Sequence, residues 1–563
     1  MKKRICQIFA ALLFVALTLS LSACAPKEQQ EAPPADTAGG YAGKTVILHS
    51  NDVHGEIMGY AYIAALKADF QDKGADVILA DAGDFSQGDP TVSLTKGADA
   101  IAMMNAAGYD VATLGNHEFD FGYEPLVENL KAAEFHVICA DILQDDRAIW
   151  DPAWMYEKDG LKIGFFGMDT PETQTKANPS MTLGLRFLSH NDIYTCAQEQ
   201  INALRADGAD IVIALAHLGV GAESAPDGHR SVDMYRNTQG IDLIIDGHSH
   251  SVMTEGEDGE PVQSAGTKFE NIGVVVIDNA SKSIERHYLL PTKVTENDEI
   301  VSELAKDPDV EAKAQAIIDR VDAEYGEVFA RSEVLLNGER NPGNRTEETN
   351  LGDLITDAIV WKVLQEDGAL SVDDDHVVGL TNGGGIRASI QPGNVTRKDL
   401  NTVLPFGNTI TVVYVTGAQL LEALEASTYC APEEIGGYPQ TFGIAFTLDT
   451  TVPYDQGEAY PDSTYYSPAS IQRVTITAMN GQPFDPEATY AVVTNDFCAA
   501  GGDTYYVFKN ASAQFDTGIV MDEAVMEYIG DALGGVISRE TYETPRGDQT
   551  IVLTREADEP QAA

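Results

Sequence analysis

Residues 110–120 read DVATLGNHEFD, a short apolar run closed by Gly115 and followed at once by Asn116, His117, Glu118 and Asp120. A histidine that serves only a core needs no amide and carboxylates beside it. The run before it has the apolar, β-branched character of a buried strand, so the polar residues stand just past a strand end. The same order recurs along the chain. TVILHS (45–50) precedes Asp52 and His54, ADVILA (75–80) precedes Asp84, IVIALA (211–216) precedes His217, and DLIIDG (242–247) precedes His248 and His250. Further runs, HVICA (136–140), LKIGFFG (161–167) and NIGVVVID (271–278), carry no such residues but complete the strand series. Helix-length segments lie between the runs at Tyr60–Asp72, Asp99–Ala107, Pro125–Ala133 and Asp192–Ala206. Alternating strands and helices predict a layered α/β domain, in which loops beyond strand carboxyl ends converge on one crevice. One such histidine means little; five ordered clusters point to a single site.

The chain is long, 563 residues with 44% hydrophobic content, and predicts more than one domain. Residues 1–23 read as a secretory signal, with Lys2, Lys3 and Arg4 before an apolar run ending in LSAC. That ending resembles a bacterial lipobox, which implies a mature chain starting at a lipid-bearing Cys24 and anchored to the cell membrane on its extracytoplasmic side. Residues 24–43 are a Pro/Ala/acidic tether with nothing to pack. Residues 44–298 form the predicted α/β domain, 299–330 a charged linker helix with Pro308 breaking its first part, and 331–556 a second, α+β domain. The acidic tail 557–563 is expected to be disordered. In the second domain TITVVYVTG, IQRVTITAM and TYAVVTNDF read as strands, and Leu351–Leu364 and Gln419–Ser427 as helices. The 88 acidic against 36 basic residues, net −52, argue against binding duplex nucleic acid through a basic face. An anionic substrate therefore needs local cations. Cys139, Cys196, Cys430 and Cys498 form no CxxC pair, so no disulfide framework is indicated. No obligatory protein partner is evident.

Carboxylate, imidazole and amide are the ligand types suited to Zn, Mn, Fe or Mg class ions, and an Asp can bridge two of them. The ordered blocks NDVHG, GDFSQGD, GNHEFD, AHLG and GHSH resemble the calcineurin-like metallophosphoesterases, in particular the bacterial 5′-nucleotidase / UDP-sugar hydrolase family. The resemblance runs from about Thr45 to beyond Asp503, and because that family pairs a metal domain with a hinged substrate domain it implies a hinge near 325–335. It implies that Asp52, His54, Asp84 and His250 hold one divalent metal (Zn, Mn or similar) and Asp84, Asn116, His217 and His248 a second, with Asp84 as the bridge. It further implies that His117 is the catalytic histidine, acting on the phosphoryl group or leaving oxygen, with Asp120 orienting its ring. Glu118 reads as no more than a helix N-terminal acid. His250 departs from the best-studied branch of the family, where Gln is often found.

The second domain carries NRTEETNLGDLI, NGGGIR, LPFGN and NDFCAAGGD, which also look like that family. By resemblance Arg345 and Arg387 take a phosphate, Phe406 and Phe497 sandwich a base, Asn382 and Asn408 meet its polar edge, and Asp503 binds the ribose hydroxyls. The implied activity is release of phosphate from nucleoside 5′-monophosphates. Within the class, 2′,3′-cyclic-nucleotide phosphodiesterase and UDP-sugar diphosphatase are the alternatives. From another class, a transporter's solute-binding lipoprotein shares the lipobox and two α/β domains, but has no reason to keep seven metal-type residues and His117 at strand ends.

Overall fold

Alternation along β1 (Lys44–Ser50) sets the architecture of the first half. Val46 and Leu48 enter one apolar cluster with helix residues, while Ile47 enters another built from strands of two sheets. The structure, a computed structural model, describes residues 40–553 apart from 180, 227, 297–298, 366–369 and 462; the signal, most of the tether and the tail lie outside the described residues. From Tyr41 the chain forms one unit.

The strands of the two main sheets of the first half are, after β1 and in chain order, β2 (Asp76–Asp81), β3 (Val111–Ala112), β4 (His136–Val137), β5 (Ala153–Lys158), β6 (Leu161–Asp169), β7 (Ile211–His217), β8 (Leu243–Asp246), β9 (Val252–Met253), β10 (Val262–Ala265), β11 (Asn271–Asp278) and β12 (Ser283–Pro291). They form two six-stranded sheets, β12-β11-β1-β2-β3-β4 and β9-β10-β8-β7-β6-β5. Each is parallel through its centre and antiparallel at an edge. The sheets share a core: Ile47, Ile78 and Val275 from one meet Phe165, Ile213 and Leu215 from the other. Helices α1 (Gly59–Asp72), α2 (Ala98–Ala107) and α3 (Tyr123–Leu130) cover the outside of the first sheet, and α4 (Asn191–Ala206) covers the second. Strands buried on both faces read as continuous apolar runs, which is why their sequences lack a polar alternation.

Two expected strands are shorter than their apolar runs. HVICA pairs in the first sheet only at His136–Val137, because the chain then crosses to the second sheet, where Ala140 N donates to Gly167 O at 2.9 Å. DVATL leaves its ladder after Ala112 to enter the loop that carries Asn116. The linker differs too. Its helix, α5, spans Pro308–Tyr325, with Asp307 accepting from Asp309 N and Val310 N; Pro308 starts the helix instead of breaking it. Residues Glu299–Glu303 are a strand paired with Lys293–Glu296. Val310, Ala314 and Ile317 of α5 bury against the helices of the first half, so α5 is packed rather than free-standing.

The second half is built on the five-stranded order β15-β13-β16-β14-β17, namely β13 (Val377–Asn382), β14 (Thr409–Thr416), β15 (Pro439–Phe442), β16 (Thr489–Asn495) and β17 (Ala513–Val520). Ile410 and Val412 face α6 (Asn350–Leu364), and Val413 and Val415 face α7 (Gly417–Ala426). Asp496 and Phe497, read as a strand end, instead begin a helical turn, because Asn495 accepts from Cys498 N at 2.7 Å and caps it. The molecule is thus a layered α/β sandwich joined by a helix to an α+β domain.

Candidate active site

All five strand-end clusters meet at one edge of the sandwich, beyond β1, β2, β3, β7 and β8. Five of the seven candidate ligands, Asp52, His54, Asp84, His248 and His250, have left-handed backbone with φ between 45° and 72°. That conformation costs a non-glycine residue roughly 1–2 kcal/mol, so surrounding structure must hold it in place. Glu118 does much of the holding. Its carboxylate, 2% exposed, accepts from Asp84 N (2.8 Å), Gly115 N (2.7 Å), Phe85 N (2.9 Å) and Ser86 N (3.0 Å), and so ties the Asp84 loop to the Asn116 loop. It is a structural anchor, more than the helix N-terminal acid its position suggested. Gly115 is required where it stands: a Cβ there would lie 2.5 Å from Asp84 Oδ1 and 2.8 Å from the His217 ring.

Hydrogen bonds fix the imidazole tautomers. His54 Nδ1 lies 3.1 Å from Gln87 O, His217 Nδ1 2.7 Å from Ala82 O, and His248 Nε2 2.9 Å from a carboxylate oxygen of Glu172. Each partner only accepts, so a ring proton sits on that nitrogen and the other nitrogen is the one turned into the cluster. Those nitrogens face further acceptors. His217 Nε2 is 3.1 Å from Asp84 Oδ2 without an aligned hydrogen bond, and His248 Nδ1 is 2.9 Å from Asn116 Oδ1. His54 Nε2 is 3.0 Å from His250 Nε2 and 3.7 Å from Asp84 Oδ2, and His250 Nε2 is 3.4 Å from Asp52 Oδ1. Acceptors turned on one another are what bound cations relieve, so the residues present fit two divalent ions. The groups Asp52/His54/His250 and Asp52/Asp84/His217 each bring ligand atoms within 4.8 Å of one another, and Asp84 stands between His54 and His217. Oxygen and imidazole donors without thiolate suit Zn, Mn or similar ions.

The charges are consistent with that fit. Burial drives the His54 and His250 imidazoles well below their ordinary value, keeping them neutral. Burial also pushes Asp52 up to about 7, with His217 opposing. For Asp84 burial acts upward too, yet the His217 imidazole, which Asp84 raises well above its ordinary value against burial, holds it well below the carboxylate range; the proton this pair holds is the one a cation bound to both would displace.

His117 donates its backbone N–H to Asp84 Oδ1 at 2.9 Å, and its Nδ1 lies 2.6 Å from Asp120 Oδ2. Burial raises the Asp120 carboxyl while His117 pulls it down. The His117 ring also comes near His54 and Asp84, close enough to make a third ligand group, and stacks on Phe406 with centroids 5.7 Å apart at 27°. Both rings line a cleft of about 330 Å³ between the two halves, which Arg345, Arg387, Asn408, Phe497 and Asp503 also line. The Arg387 guanidinium lies over Phe406 at 5.8 Å. Arg340, which no motif singled out, joins these arginines. Burial, then Arg340, lowers Arg345 to about 9 and Arg387 to about 10. Phe497 lines the cleft but is 8% exposed, its ring against Gly502. Asn382 directs its amide to Asp503 Oδ2 (2.8 Å) and takes a bond from Asn495 (3.1 Å), so here it holds Asp503.

Residues with no sequence signal complete the cleft. Lys176 sits between Glu223 and Asp503, 3.4 Å from Asp503 Oδ1, and Asn178 donates to Asp496 at 2.8 Å. These contacts join the two halves across the cleft.

Comparisons with known proteins agree with this geometry. A family model described as the 5′-nucleotidase C-terminal domain matches residues 328–510, and one described as a bacterial capsule synthesis protein matches 65–255. The trifunctional nucleotide phosphoesterase protein YfkN of Bacillus subtilis is 29% identical over 87% of this chain, which spans only 34% of that longer protein. A 5′-nucleotidase of Vibrio cholerae is 26% identical, covering 93% of this chain and 96% of its own. The crystal structure of a 5′-nucleotidase precursor from Thermus thermophilus superposes with a TM-score of 0.74 at 27% identity, covering 91% of this chain and 100% of that one.

Proposed function

From the chain's membership of the 5′-nucleotidase / metallophosphoesterase family, we propose that it is a 5′-nucleotidase, a metal-dependent phosphohydrolase that releases phosphate from nucleoside 5′-monophosphates. The observation that carries the reading is the His117–Asp120 pair at 2.6 Å, set beside the Asp/His cluster in a cleft that also holds Arg345, Arg387 and Phe406. Asp52, His54, Asp84 and His250 would hold one ion and Asp84, Asn116, His217 and His248 the other. Two divalent ions there supply Lewis acidity toward a phosphoryl oxygen and lower the pKa of water.

The chain's own residues do the rest. Asp120 keeps a proton on His117 Nδ1, which leaves Nε2 to exchange a proton with the departing ester oxygen. Arg345 and Arg387 neutralise phosphate oxygens with forked N–H donors. Phe406 and Phe497 offer aromatic surface to a base, Asn408 a polar edge, and Asp503, held by Asn382, an acceptor for ribose hydroxyls. The domain limits 44–298, 299–330 and 331–556 belong to this reading, with the hinge near 325–335 allowing the cleft to open. So do an extracytoplasmic location and a lipid on Cys24; their support is the charged, apolar N-terminus ending in LSAC. Among the described residues no helix is long and apolar enough to cross a membrane.

The test is a panel of AMP, UMP, UDP-glucose, 2′,3′-cyclic AMP and an aryl phosphate, each with Mn, Zn, Co and Mg. The highest kcat/KM is expected for a nucleoside monophosphate. Preference for the cyclic ester would install the second reading, a 2′,3′-cyclic-nucleotide phosphodiesterase, which draws support from similarity to a protein named a trifunctional nucleotide phosphoesterase.

A further inference from the structure

Glu172 belongs to none of the strand-end motifs, yet it lies in direct contact with one of the candidate ligands. It follows β6, just before a helical turn at Thr173–Lys176, and is 2% exposed. One carboxylate oxygen lies 2.9 Å from His248 Nε2 and the other 3.0 Å from Nε2 of His229, itself 1% exposed. We propose that Glu172 is the positioning residue for His248, holding its ring so that Nδ1 presents its lone pair beside the Asn116 amide oxygen. The proposal rests on reading His248 as a metal ligand.

The backbone of His248 is fixed from the other side of the site. Its φ is 72° and its N–H donates to Asp52 Oδ1 at 3.0 Å. That contact places the Cα but leaves the ring free to turn about its side-chain torsions. The bond to Glu172 removes that freedom. An imidazole that donates through Nε2 to a carboxylate also gains basicity at the opposite nitrogen, the one facing Asn116 Oδ1 at 2.9 Å. The second oxygen of Glu172 is engaged by His229, so the carboxylate cannot swing away to follow a moving ring.

The turn that carries Glu172 is anchored in its turn. Glu172 O accepts from Thr175 N at 2.8 Å, and Thr175 O accepts from Asp503 N of the second half at 2.8 Å. His248 is therefore held by a carboxylate whose own turn is docked on the loop expected to contact the nucleoside.

The experiment titrates Mn(II) into metal-free, full-length protein, reading free ion by electron paramagnetic resonance, and records the Co(II) absorption spectrum of the loaded site. Wild type is expected to bind two ions, and His248→Ala to weaken one of them, which marks the ion concerned. Glu172→Gln should weaken that same ion roughly 10- to 100-fold while the other changes by less than about threefold, and should shift the Co(II) bands. Glu172→Asp, which keeps the charge but withdraws it by one methylene, should move the same ion in the same direction by less; it carries the comparison if Glu172→Gln lowers the melting temperature of the metal-free protein. Two ions bound by both Glu172 variants with wild-type affinity, or both ions weakened alike, would overturn the assignment and leave Glu172 a purely structural partner of His229. Fewer than two ions in wild type would instead refute the dimetal reading itself.

Discussion

Glu118→Gln removes no volume and one charge, yet it should damage both stability and metal binding. In the wild type each carboxylate oxygen receives two backbone N–H groups: Oε2 from Asp84 and Gly115, Oε1 from Phe85 and Ser86. Glutamine keeps one oxygen and turns an NH2 group toward the remaining pair. Two buried N–H donors then face a donor. Each orphaned buried donor costs about 1–3 kcal/mol, which gives about 2–6 kcal/mol for the pair before relaxation. Relaxation must come from moving the loop at Asp84–Ser86 or the loop at Gly115, and Asp84 is the carboxylate between His54 and His217. The assay is urea unfolding of metal-free protein, followed by circular dichroism, together with metal analysis of protein purified with Mn. The midpoint should fall, and metal content should drop below wild type. A Glu118→Gln protein with an unchanged midpoint and full metal content would refute the argument that these four donors need a carboxylate.

The other expectations are shorter. Asp84→Asn removes the carboxylate proposed to bridge the two ions, so both ions and activity should be lost together; two ions per chain in that variant would mean the bridge is wrongly assigned. His117→Ala should keep both ions while turnover falls by about two orders of magnitude or more, whereas loss of metal would make His117 a ligand. Phe497→Ala should lower kcat/KM for AMP by roughly ten- to a hundredfold and for a small aryl phosphate much less, equal losses marking Phe497 as core packing. Burial pushes His49 down to about 4, so its neutral form stabilises the fold fully above pH 6.5 and that stability drains as pH falls toward 4. Between pH 7 and 4 this amounts to about 3 kcal/mol, and His49→Leu should show an unfolding free energy that falls by that much less on acidification; parallel pH profiles would contradict it.

Much of the candidate site was legible because its candidate ligands sit within a few residues of their strands. Asp52, His54, Asp84, Asn116, His217, His248 and His250 each follow an apolar run, and an open α/β sheet gathers such positions at one edge. What could not be read has partners far away in the chain. Glu172 meets His248 and His229 at separations of 76 and 57 residues, and Lys176 meets Asp503 across the two halves. No local spacing encodes those pairings. Glu118 lies inside GNHEFD, yet its role has no local signature, because it depends on N–H groups of a loop more than thirty positions earlier. The fold followed a similar rule: long runs such as β6 and β7 are strands as read, whereas HVICA divides between two sheets, a choice made by tertiary contacts rather than by its β-branched residues.

The electrostatics explain how a chain of net charge −52 can take an anionic substrate. Arg340, Arg345 and Arg387 crowd one cleft, and burial followed by the Arg340 charge lowers both Arg345 and Arg387. Guanidiniums held together against their own repulsion are relieved by an anion placed among them, so a phosphate gains both new hydrogen bonds and the release of that repulsion. These arginines belong to the second half of the chain, whereas the Asp/His cluster and His117 belong to the first. A phosphate in the cleft is therefore within reach of both halves. In the proposed reading the base and ribose would meet Phe406, Phe497 and Asp503, all from the second half, with Lys176 of the first half 3.4 Å from Asp503, and there the discrimination between a nucleotide and a simple ester would arise.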